Sequence, residues 1–318
     1  MSTDDTTPTR FEINGITVLR HPVQASMVDG ALLRGYYYQR ETPPARGRYM
    51  LPASPIALLC IPTELGNGAE YHEFALELAV QSGAPKRIYT LDLRGRGRSE
   101  LGKGDDSSVH TDTDDLISFC DAMGLHGIDV LVSGRSSYCV LLTAPKRPSL
   151  IRKLIFNDGG PEFDNVGIAR LTALRQRQSL PTNWQDAMES LKQLKAESFP
   201  KLTDKHWNTL VRTIWHEDKG KFTPNIQPGL SRQSNAANYD EKQLQVWNEL
   251  KLFRLHPVLL IRGENSLLMN IEIAEKFAKH MDDFQILVAK GQGHVPLLQV
   301  DGFSKKILAF LLDAEDDT

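Results

Sequence analysis

The residues with the clearest chemical potential lie at 131–139, Leu-Val-Ser-Gly-Arg-Ser-Ser-Tyr-Cys, where three serines surround a glycine and an arginine. A serine attacks when it sits on a tight strand-to-helix turn of the form G-x-S-x-G, whose small flanks let a strained side chain project. Gly134-Arg-Ser-Ser-Tyr138 fits that form only with a tyrosine in the last place, which makes Ser136 the nucleophile. Such a serine needs three further groups: a histidine base, an acid that orients the histidine, and backbone N–H donors for the developing oxyanion. Ser136 and Ser137 also suit the start of a helix, where a short hydroxyl side chain caps backbone N–H groups.

The elements that must position these residues alternate. A turn at Asn14-Gly15 interrupts a strand-like stretch over 11–20, and Met27–Glu41 reads as a strand pair turning at Asp29-Gly30. Apolar strand signals follow at 56–61, 87–93, 128–132, 153–156, 257–261 and 284–288, short and β-rich as in strands buried on both faces. Helical spacing fills the gaps at 70–82, 112–123, 135–144, 271–280 and 301–312. This rhythm predicts an α/β fold with a mostly parallel, doubly wound sheet.

Residues 161–250 break the rhythm with helical, polar-rich sequence that holds all four tryptophans, Trp184, Trp207, Trp215 and Trp247. They predict an inserted helical cap. The tryptophans then either build the cap's small core or line a pocket for a small-molecule ligand or substrate between core and cap. The expected organisation is an N-terminal extension over 1–27, a core over 28–160 and 251–318, and a cap over 161–250.

Bulk properties narrow the classes. Lys and Arg number 37 against 40 Asp and Glu, a formal net charge of −3, so no nucleic acid or anionic membrane is expected as partner. Cys60, Cys120 and Cys139 lie in apolar contexts without a CxxC pair and read as buried, reduced thiols. The N-terminal residues lack a signal-peptide pattern, and no apolar run approaches the ~18 residues of a membrane span. A cytoplasmic protein without cofactor or metal is the expectation. Gly95-x-Gly97 lacks the third glycine and acidic partner of a dinucleotide site. A homodimer is left open.

Four motifs in order resemble those of the α/β-hydrolase superfamily, in one bacterial branch, over roughly residues 28–312. They are Asp92-Leu-Arg-Gly-Arg-Gly-Arg-Ser99, Asn157-Asp-Gly-Gly-Pro-Glu-Phe163, Arg262-Gly-Glu-Asn-Ser266 and Gly291-Gln-Gly-His-Val-Pro-Leu-Leu298. The resemblance implies the α/β-hydrolase fold and puts His294 at the catalytic histidine. The other positions depart from it. Where the branch reads R-G-x-x-S-D, this chain has Leu267 in the acid's place. Asp158 and Glu264 are the conceivable substitutes, against plainer readings as a turn residue bonding backbone and a solvated or capping carboxylate. Thr63 replaces the oxyanion glycine of C-L-P-G-L-T-R-N.

An ungapped match aligns Ser133-Gly-Arg-Ser-Ser137 with T-S-R-G-G, which puts Gly134 at the nucleophile position and leaves no side chain to attack. This register competes with the one that uses Ser136. The preferred expectation is a hydrolase-like protein with a defective triad that binds a small molecule or a partner. The alternative is an active carboxylic ester hydrolase using Ser136, His294 and Asp158.

Overall fold

In the computed structural model the described residues are 7–41, 54–102, 108–176, 180–227 and 244–313. Residues 42–53 lie outside them, as do residues 177–179 and 228–243 of the expected cap. A sheet of nine strands in the order β1-β2-β3-β5-β4-β6-β7-β10-β11 organises the chain. These strands are β1 (Thr9–Ile13), β2 (Ile16–Ser26), β3 (Leu32–Arg40), β4 (Leu58–Ile61), β5 (Ile88–Asp92), β6 (Ile128–Ser133), β7 (Ile151–Asn157), β10 (Val258–Gly263) and β11 (Phe284–Ala289). From β5 to β11 the pairing is parallel, and β1 to β3 add an antiparallel edge.

The expected mostly parallel, doubly wound sheet is therefore present. Within residues 1–27, expected as an N-terminal extension, the strand-like stretch around Asn14-Gly15 forms β1 and β2 at the edge of the main sheet. Asn14 and Gly15 have left-handed φ of 52° and 74°, and their tight turn folds β1 back onto β2. The alternation of half-buried residues along β2 then suits a strand with one covered face.

Two apolar layers sandwich the sheet. Leu59, Ile61, Val130, Val132, Leu154, Phe156 and Leu260 join one cluster, while Leu58, Cys60, Leu131, Ile155, Leu259 and Ile261 join the other. Adjacent residues of β4, β6 and β7 point to opposite faces, so continuous apolar runs are what burial on both sides requires. Helices α1 (His72–Ala79), α2 (Val109–Ala122), α3 (Ser137–Leu141), α8 (Ile271–Ala278) and α9 (Phe303–Leu311) complete those layers. All three cysteines are free and buried, and burial pushes the Cys120 thiol up to about 12.

Residues 161–250 contain α4 (Asn165–Gln176), α5 (Trp184–Lys195), α6 (Asp204–Ile214), a hairpin of β8 (Trp215–Asp218) with β9 (Lys221–Pro224), and α7 (Trp247–Lys251). The hairpin is absent from the sequence reading, which assigned helix through Trp215. Trp207 joins Ala187, Leu191, Phe199 and Val211 in a separate small core, with Trp184 and Trp215 packed against it. Among the described residues no helix is long and apolar enough to cross a membrane.

Candidate active site

The site forms where β6, β7 and β11 end, at the carboxyl edge of the sheet. After Ser133 the chain turns through a single 3-10 turn, Gly134–Ser136, into α3. Gly134 adopts φ +55°, the left-handed conformation that strains any residue with a Cβ. It faces the imidazole of His294 directly. A Cβ on Gly134 would lie 3.1 Å from His294 Cε1, 3.3 Å from Nε2 and 3.7 Å from Glu64 Oε2.

Ser133, Ser136 and Ser137 do different things. The Ser133 hydroxyl lies 2.7 Å from Tyr71 OH and accepts from Asn157 Nδ2 at 3.0 Å, while that same amide nitrogen reaches Pro296 O at 3.0 Å. This chain ties the turn after β6 to the loop that carries His294. Ser137 Oγ donates to Gly134 O and accepts from Gly160 N at 3.0 Å, which pins the turn from within. Ser136 is 4 % exposed, and its Oγ has no hydrogen-bond partner among the described residues. No hydrogen bond joins it to His294.

Asp158 reaches the histidine. Its Oδ2 is 2.8 Å from His294 Nδ1 and accepts from Ser266 Oγ at 2.5 Å, while Oδ1 accepts from Gly263 N at 2.8 Å. The carboxylate is fully buried, and all three partners are N–H or O–H donors when His294 carries its proton on Nδ1. Asp158 thus bonds the imidazole and a backbone N–H at the end of β10, rather than backbone within its own turn. Its φ of 51° is tolerated by a short carboxylate side chain, and it aims the group back across the sheet edge. The following Gly159 lies against the turn itself, where a Cβ would approach Ser137 Oγ to 2.3 Å and Gly134 O to 2.9 Å.

The remaining candidates fall around this pair. Leu267 is partly buried beside Ser266. Glu264 accepts from Gly291 N at 2.7 Å and so holds the start of the His294 loop. Thr63 donates its N–H to Glu70 Oε2 at 3.1 Å and its hydroxyl to Glu70 Oε1 at 2.9 Å, so that amide is engaged by the chain's own carboxylate. Sequence reading missed both Glu70 and Glu64. Glu64 is an acidic residue inside a loop expected to present bare N–H groups, and Glu70 opens the expected helix over 70–82.

Arg96, from the glycine-rich loop after β5, fixes Glu64 from behind. Its Nε donates to Glu64 O at 2.8 Å, and its Nη1 makes buried bonds to Arg94 O at 2.8 Å and Asp112 at 3.0 Å. Lys195, at the end of α5, donates to His294 O at 3.1 Å and joins the inserted segment to the histidine loop.

Burial raises the Glu70 carboxyl to about 7, against the lowering effect of its bonds to Thr63, with Glu64 reinforcing the rise and Lys195 opposing it. A carboxyl near 4.5 in the unfolded chain and near 7 in the folded one stabilises the fold fully at low pH. That contribution is lost as pH rises through about 7. Glu70→Gln is therefore expected to flatten the fall in stability between about pH 5 and pH 8, by about 2–3 kcal/mol. Urea unfolding of both proteins at the two pH values checks this, and equal slopes would refute it.

The sequence profile of the α/β-hydrolase fold family matches residues 56–299, and the chain belongs to that family. Solved structures share the fold. An α/β hydrolase from Novosphingobium aromaticivorans superposes with a TM-score of 0.76 at 21% identity, covering 92% of this chain and 98% of that one. E-2-(acetamidomethylene)succinate hydrolase gives 0.67 at 16% identity, covering 97% and 99%. An esterase from Exiguobacterium antarcticum gives 0.64 at 15%, covering 92% and 98%. The curated protein sequences give no match.

Proposed function

We propose that this is a hydrolase-like protein without acyl-enzyme chemistry, which holds a small molecule between the sheet edge and the cap formed by 161–250. One observation carries the reading. The residue that turns through left-handed φ and faces the His294 ring is Gly134, which has no side-chain atom to attack with. In a triad the nucleophile must touch the base's Nε2. The only side chain within the turn that could substitute, Ser136, has a buried hydroxyl with no bond to His294. The Thr63 amide, engaged by Glu70, weakens the oxyanion side of the same chemistry.

The retained Asp158–His294 pair favours the competing reading of an active serine hydrolase using Ser136, and one experiment separates the two. Purified protein is treated with a fluorophosphonate probe and its peptides are read by mass spectrometry, beside the Ser136→Ala variant and a reactive control hydrolase. No adduct is expected in either form of this protein. An adduct on Ser136 that vanishes in Ser136→Ala would restore the serine-hydrolase reading.

A further inference from the structure

The nine-stranded sheet ends on β11, and among the described residues no strand pairs with its outer side. Its sequence, Phe284-Gln-Ile-Leu-Val-Ala289, carries no charge, proline or glycine. Ile286 is 42% exposed and Val288 46%. A bare apolar edge is a template for a further strand, and sheets that stay alone guard such edges with charge, proline or a bulge. At the other edge of this sheet, β1 has Arg10 and Glu12 within its span. Around β11 the charges stand only at the two ends, with Asp282 and Asp283 before the strand and Lys290 after it, all exposed.

Pairing with β10 fixes which backbone groups face out. Asp283 O accepts from Val258 N at 3.0 Å and Ala289 O from Glu264 N at 3.0 Å, so the odd-numbered residues bond inward. Successive residues of a strand turn their N–H and C=O to opposite sides. Those of Phe284, Ile286 and Val288 therefore point away from β10.

A two-fold axis restricts how this strand can meet a second copy of itself. Residues opposite each other in an antiparallel pair share one face, so a symmetric pair must centre on a residue that faces its own counterpart. Centred on Ile286, the outward groups of Ile286 meet their counterparts and those of Phe284 meet those of Val288. The same register sets Asp282 opposite Lys290 at both ends. A slide either way sets Asp282 or Lys290 opposite an apolar residue instead. Side chains fit this register too. Phe284, Ile286 and Val288 share the face on which Phe284 packs against the core, so Ile286 would stack on its counterpart and Val288 on Phe284. Asp282 is already oriented, because Arg254 Nε donates to its Oδ1 at 2.7 Å and its own N–H donates to Arg254 O at 3.0 Å. Leu252 and Leu255, exposed on either side of Arg254, add apolar surface at the start of the strand.

We infer that two copies of this chain join antiparallel through β11, about a two-fold axis at Ile286, into one continuous sheet. Apolar contact supplies the attraction, and the Asp282–Lys290 pairs set the register. The pairing stands whichever chemistry the His294 site performs.

Sedimentation velocity of the full chain over a dilution series tests this, with each variant checked for cooperative thermal unfolding. The parent protein is expected as a dimer that dissociates on dilution. Ile286→Lys sets two ammonium groups against each other at the axis and should raise the dissociation constant by about 100-fold or more. Lys290→Asp opposes Asp282 with a second carboxylate at both ends and should raise it by about tenfold. Adding Asp282→Lys to Lys290→Asp restores opposite charges and should recover most of that loss. Val28→Lys, an exposed position in the turn between β2 and β3 on the other side of the sheet, should leave the dimer unchanged. If Ile286→Lys fails to fold, the charge exchange carries the test. A monomer at every concentration, an assembly larger than two, or a dimer that either folded Ile286→Lys or Lys290→Asp leaves intact would overturn the inference.

Discussion

Gly134→Ser is expected to convert a protein inert to fluorophosphonates into one labelled stoichiometrically at residue 134. The His294 ring and the Asp158 carboxylate already stand in place, with His294 Nδ1 2.8 Å from Asp158 Oδ2. The new Cβ would lie 3.3 Å from Nε2, which brings a hydroxyl on it within reach of the ring. Two costs oppose the gain. A non-glycine residue at φ +55° costs about 1–2 kcal/mol, and the 3.1 Å approach to Cε1 requires the ring to shift slightly. Neither is large beside the several orders of magnitude that a lost nucleophile costs an intact triad. With the Thr63 amide engaged by Glu70, recovery will be partial, on the order of 10²-fold in hydrolysis of an activated ester. Adding His294→Ala should erase both labelling and rate. A folded Gly134→Ser protein that takes up no probe would show that the turn does not present residue 134 to the imidazole.

The second large effect is on stability. Asp158→Ala removes a fully buried acceptor from the Gly263 N–H, the Ser266 hydroxyl and the His294 ring. Each stranded donor in such a place costs about 1–3 kcal/mol, and the three share one cavity, so a total of about 3–5 kcal/mol is expected rather than their full sum. Urea unfolding measures it. Asp158→Asn keeps one acceptor and the left-handed backbone preference, and should lose roughly half as much. If both variants unfold like the parent protein, the carboxylate is not the hub that joins β7, β10 and the His294 loop.

The two predictions concern residues that were unequally legible in the sequence. His294 was found because Gly291-Gln-Gly-His294 resembles the histidine loop of the superfamily and follows a strand signal over 284–288, where the strand runs Phe284–Ala289. Asp158 was visible as a candidate, but its plainer role in a turn and its bond to the imidazole cannot be separated along the chain. They are separated only by the sheet order, which sets β10 beside β7 and brings Gly263 and Ser266 across to the same carboxylate. Glu70 escaped notice because it lies seven residues from Thr63, within a 3-10 turn, Gly68–Tyr71, that folds it back. The hairpin of β8 and β9 was missed for a related reason. Its pairing rests on a turn at Lys219-Gly220 with left-handed φ at both residues, inside sequence whose apolar spacing reads as helical.

Read alone, the sequence determined the α/β fold, because strands buried on both faces need continuous apolar runs and crossover helices need a 3.6-residue period. It also determined that a glycine, three serines and a histidine lie at the edge of that sheet. It left two registers open at the turn, since the choice depends on where β6 stops and the backbone turns left-handed. The tertiary structure decided the backbone of this turn. β6 ends at Ser133, so Gly134 takes the left-handed conformation and meets the His294 ring, and Ser136 is carried on toward α3 and buried. A contact between residues 134 and 294 is set by strand order and packing across the sheet, and local sequence preference carries no record of it.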